Sequence, residues 1–145
     1  MGYTTDLLEG LGKDLDALGI GTWRDNGIHT SGETGIVVGA IPAAPDRLIT
    51  LTSYGVDDNP TLTDDVIGVQ ARFRWGGQDP RPADDLADSV FDLWHGAGPF
   101  TLPTGVRVLL LARQSWTSLG QDDNDRWSRS DNYYATVHRP SPHRT

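Results

Sequence analysis

The chain has no cysteine. That absence excludes disulfides, thiolate nucleophiles and thiolate metal sites together, and it suits a reducing compartment. Lysine is nearly missing as well: 11 of the 12 bases are Arg, while 18 of the 20 acids are Asp. The formal charge of −8 makes a poor grip on nucleic acid, because duplex affinity comes mostly from cations that neutralise phosphates. No apolar stretch of signal-peptide length follows a basic N-terminal region. The longest apolar run, Val108 to Ala112, is far too short to span a bilayer. A soluble protein without membrane contact is expected. No repeat, low-complexity tract or linker interrupts the sequence, so a single domain over residues 1–145 is expected, large enough to bury a core unaided.

What is present reads as two helices and a set of strands. In "TTDLLEGLGKDLDALG", Leu7, Leu8, Leu11, Leu15 and Leu18 recur on one helical stripe, with Thr5 as N-cap and Gly19 past the end. Gly10 and Gly12 weaken that helix. In "DPRPADDLADSVFDLWHG" the set Ala83, Leu86, Ala87, Val90, Phe91 and Trp94 follows the 3.6 period, Pro82 fits the first turn, and His95 and Gly96 close it. The remainder reads as strands: "GIVVGAI", "RLITLTSYG", "VIGVQARFRWGG", "GVRVLLLARQSW" and "RWSRSDNYYATVHRP". "GVRVLLLARQSW" turns wholly apolar, as a central strand does. The order helix, strands, helix, strands predicts an α+β fold, one mostly antiparallel sheet with helices on a face. The stretches Asp57–Asp65 and Gln121–Asp125 read as long acidic loops, and the tail after Pro140 as frayed.

Catalytic chemistry finds little support. There is no G-x-S-x-G elbow. His95 reads as a helix C-terminal cation, His143 lies in the tail, His29 in a Gly/Ser loop and His138 on an alternating strand. Adjacent acids in a helix, such as Asp84 and Asp85, point in different directions and make no carboxylate pair. "DDND" at 122–125 resembles half of a calcium loop, without the central Gly or the closing Glu, and reads as a solvated turn. No metal and no cofactor are expected. Arg72, Phe73, Arg74 and Trp75 alternate on a strand, so the aromatics take the core side and the arginines point outward.

In the last strand, Trp127, Tyr133, Ala135 and Val137 share one parity, with Tyr134, Thr136 and His138 opposite. This segment, "LGQDDNDRWSRSDNYYATVHRP", resembles the ending of the small tail terminator proteins of long-tailed phages, also called minor capsid or head-tail connector proteins. "GIVVGAIPAAPDRLITLTSYG" and "IGVQARFRWGGQDPRPADDLADSVFDLWHG" are similar to further segments of that family, in the same order. The resemblance implies a virion protein of the head-proximal tail end, assembled in the host cytoplasm. It would cap the tail tube as a hexameric ring, stop tube growth and meet a neck protein, while the genome passes without specific binding. A head-completion or neck protein of the same assembly is the first alternative, a small enzyme the second. On this reading the residues expected at subunit or partner contacts are Arg72, Arg74, Asp57, Asp58, Asp122, Asp123, Asp125, Arg129 and Tyr134.

Overall fold

A computed structural model describes residues 2–144. The elements in chain order are α1 (Tyr3–Ala17), β1 (Thr22–Trp23), β2 (Gly35–Val38), β3 (Leu48–Asp57), β4 (Asp64–Gly76), α2 (Arg81–Trp94), β5 (Phe100–Thr101), β6 (Arg107–Gln121) and β7 (Arg126–His138). One seven-stranded sheet carries them in the order β1-β2-β3-β4-β7-β6-β5. The sheet is mixed, which corrects the expected mostly antiparallel one. β1, β2 and β3 run parallel, and β3 onward pairs antiparallel. Alternation reports which face a residue takes, and it is silent on strand direction.

Both helices cover the same face. α1 buries Leu7, Leu8, Leu11 and Leu15 over Ile36, Ile49 and Leu51; α2 buries Ala83, Leu86, Ala87, Val90 and Trp94 over Phe73, Leu111 and Tyr133. Leu18 is exposed just past the helix end. Gly10 and Gly12 are close approaches rather than weak points. A Cβ on Gly10 would lie 2.9 Å from Leu102 Cβ, and one on Gly12 would lie 2.7 Å from the Trp23 ring.

β6 is not central. Only β5 lies beyond it, and that pairing reaches Phe100 with Val108 and Thr101 with Arg107. A bulge between Val108 and Leu110 breaks its apolar run, so Val108 and Leu111 are buried, Leu109 is half-buried and Leu110 is 44% exposed. Phe91 likewise sits at the rim of the core, half-buried.

The end of the chain is not frayed through Arg144. The Arg144 guanidinium donates to Asp65 at 2.6 Å, to the carbonyls of Asn59 and Leu62, and to that of Arg139. Asp65 is correspondingly buried and belongs to β4, not to a loop.

Candidate functional site

The two acidic stretches occupy opposite ends of the sheet. β4 runs from Asp64, paired with His138, to Gly76, paired with Arg126. The turn after β3, with Asp57 and Asp58 beside it, therefore lies at one end. The β6–β7 turn, with Asp122, Asp123 and Asp125, lies at the other. Each turn is locally built. Asn59 Oδ1 accepts from the N–H groups of Thr61 and Leu62. Asp122 accepts from the N–H groups of Asn124 and Arg126 and from the Arg126 guanidinium. Desolvation pushes the Asp122 carboxyl up, yet these donors outweigh it and hold the carboxyl below its ordinary value. Asp123 and Asp125 stay exposed, and Asp125 takes a positive φ of 58° at the tip.

Arg74, expected outward, and Arg129, expected at a contact, are both buried within the chain. Arg74 is 5% exposed and donates to the carbonyls of Pro45 and Asp46, pinning the β2–β3 connection against β4. Desolvation first, and Arg126 second, lower its pKa. Arg129 stands on the core parity. Its guanidinium bonds Asp131 at 2.8 Å, reaches Asp84 and Asp88 on α2, and lies 4.0 Å over the Trp116 ring. Desolvation pulls its pKa down, but Asp131 and the α2 carboxylates more than restore it. Arg113 completes the group, 3.4 Å from Asp131 and over the Phe91 ring. This cluster ties α2 to the β6–β7 arm within one chain, because a buried charge needs its partners close.

The other sheet face, free of helix among the described residues, carries Arg72, Arg74, Arg107, Arg126 and Asp64 among neutral side chains. Gln70, Asn132 and Ser115 form a hydrogen-bonded row across β4, β7 and β6. The Tyr54 ring covers Gly68, with Tyr134 in the adjoining strand position and Arg72 two residues beyond Gln70. Here Arg72 and Tyr134, both half-buried, keep the outward parity expected of them.

The histidines take structural positions. His29 Nε2 is 2.7 Å from the Thr22 carbonyl, and His138 Nδ1 is 3.0 Å from Asp64 in an exposed pair. His95 does more than close its helix: its Nδ1 accepts the Arg113 backbone N–H at 2.9 Å while the ring stacks on Phe91.

Two helices back one sheet face, acidic turns stay exposed at its two ends, and a buried ion cluster ties α2 to β7. The particular family follows from comparison. Residues 15–139 match the model of the bacteriophage tail terminator protein family, and the chain belongs to that family. It is accordingly a structural virion protein of phage type. A solved chain from the virion of a native gene transfer agent particle shares the fold, with a TM-score of 0.54 and 19% identity over 70% of this chain and 78% of that one. Sequence comparison with curated proteins found no match.

Proposed function

We propose that copies of this chain form a hexameric ring on the finished tail tube, end its polymerisation and present a surface to a neck protein at the head-proximal end. The observation that carries this reading is the placement of two acidic turns at opposite ends of one sheet. A tube of identical rings exposes the same surface after every addition, so heterologous contacts continue without limit unless a different ring intervenes. A cap must match the tube on one face and refuse it on the other. Asp57 and Asp58 at one end, and Asp122, Asp123 and Asp125 at the other, supply surfaces that can repel an acidic neighbour or receive a basic one. Arg72 and Tyr134 on the helix-free face are assigned to contacts within the ring or toward its passage. The hydroxyls and amides around them suit a genome that slides past, and Arg74 and Arg126 on the same face are already held by carbonyl and carboxylate partners.

Purified protein added to polymerising tube subunits is expected to shorten the tubes seen by electron microscopy. Phage lacking it should carry overlong tubes that do not join heads. Unchanged tube lengths, with DNA leaking from heads, would instead favour the neck protein.

A further inference from the structure

Parts of the sheet's outer edge are closed off. The Trp23 N–H of β1 is capped by the Asp16 carboxylate. On β6, Leu111 exchanges backbone bonds with Gly96 and Ala97, and the Arg113 N–H is capped by His95. Two segments are different. Among the described residues Gln114–Gln121 on β6 has no strand beyond it, and Ser53–Asp57 on β3 extends past the last β2 pairing at Leu51. Free edges are ordinarily protected by charge, proline or bulges. "QSWTSLGQ" contains neither charge nor proline, and Ser53–Asp57 has only Asp57 at its end, though bulges fall at Gly55/Asp57, Arg113/Ser115 and Ser118/Gly120. Trp116, Leu119, Tyr54 and Val56 are exposed on these same segments.

Resting on the ring reading, we infer that these two edges pair with each other between neighbouring copies, β6 of one against β3 of the next, antiparallel. Strand direction already agrees. β6 runs opposite to β7, β7 opposite to β4 and β4 opposite to β3, so a rotated copy's β3 arrives antiparallel to β6. One register satisfies both hydrogen bonding and side-chain face. Leu111 and Arg113 turn their N–H groups outward. Carried past the bulge at Arg113/Ser115, that alternation turns Trp116 and Ser118 outward too. On β3, Leu51 turns its carbonyl to Gly39, which makes Ser53 and Gly55 outward. Pairing Trp116 with Gly55 and Ser118 with Ser53 matches these groups, and all four residues lie on the helix-covered face. Gly55 leaves open space on that face, so the pairing meets no side chain there while the indole stays under Arg129 of its own chain. Arg113, which bonds Asp131 within its own chain, then falls at the level of the neighbour's Asp57 and Asp58.

The stagger is that of a closed barrel. Within one chain Trp116 is level with Asp131, Ala71 and Leu51 across β6, β7, β4 and β3. Meeting Gly55 of the neighbour instead displaces each copy by the length from Leu51 to Gly55. At ~3.3 Å per residue and ~4.8 Å between strands, that tilts the strands by about 35°, at the lower end of the range for barrels.

The absence of native cysteine makes the test clean. In the double variant Ser118→Cys with Ser53→Cys, mild oxidation of assembled protein should produce a ladder of disulfide-linked multimers up to the ring on non-reducing gels. Either single variant should give no ladder. Rings of normal size by electron microscopy that yield no ladder would overturn the edge pairing and leave the ring intact. Protein that stays monomeric at high concentration and in tail particles would overturn the ring and the pairing together.

Discussion

Leu110 and Leu111 are neighbours with opposite fates, because the bulge after Val108 resets which side of β6 each one takes. Leu111→Ala should lower stability in a urea melt by about 2–5 kcal/mol through the cavity it leaves. Leu110→Ala should change it by no more than about 0.5 kcal/mol, as an exposed site does. Equal losses would mean that the bulge is misplaced. A second residue-scale expectation concerns acid. The Arg24 guanidinium, and then the Thr30 N–H, hold the Glu33 carboxyl at about 2, below its ordinary 4.5. A depressed carboxyl contributes its stability above the unfolded value of 4.5 and loses it as pH falls through about 2. The difference in melting temperature between wild type and Glu33→Gln should therefore shrink toward zero over that window. It should also shrink with salt, since the pair is solvent-exposed. A gap that persists at the lowest pH would rule this pair out as its source.

At the scale of elements, α1 is anchored through its glycines. Gly10→Ala would ordinarily help a helix. Here the new methyl meets Leu102 Cβ and Thr104, so a loss of about 1–3 kcal/mol is expected in thermal melts. A gain would show that the β5 loop can give way. The helices and the core parity of β3, β4 and β7 were legible because burial imposes period 3.6 or period 2 directly on the apolar residues. What period does not record was missed. The parallel β1–β2–β3 pairing leaves no mark in alternation, and the edge position of β6 was hidden by an apolar run that a bulge splits. The core parity of β7 also carries Arg129, expected at a contact, and Asp131, which the pattern leaves unplaced. The signal that could have found them is their spacing: an Arg and an Asp two apart on an apolar parity lie side by side and can neutralise each other. Of the candidate contacts, Arg72, Tyr134 and the acids of the two turns kept accessible positions, while Arg74 and Arg129 are occupied within the chain.

For the molecule as a whole, the Arg144 clasp joins the chain's last strand to the β3–β4 hairpin across a long separation in sequence. Arg144→Ala leaves Asp65, 3% exposed, without its guanidinium. The expected cost is about 3–5 kcal/mol in a denaturant melt, as when one partner of a buried pair is removed. A loss under about 0.5 kcal/mol would mean that the clasp is open in solution. The clasp has a practical corollary. Because it fixes residue 144 at the end of the sheet that carries Asp57 and Asp58, a compact label fused there by a short spacer is confined to that pole of the subunit. In micrographs of intact tails such a label would work as a compass needle, showing whether that pole looks toward the capsid or down the tail.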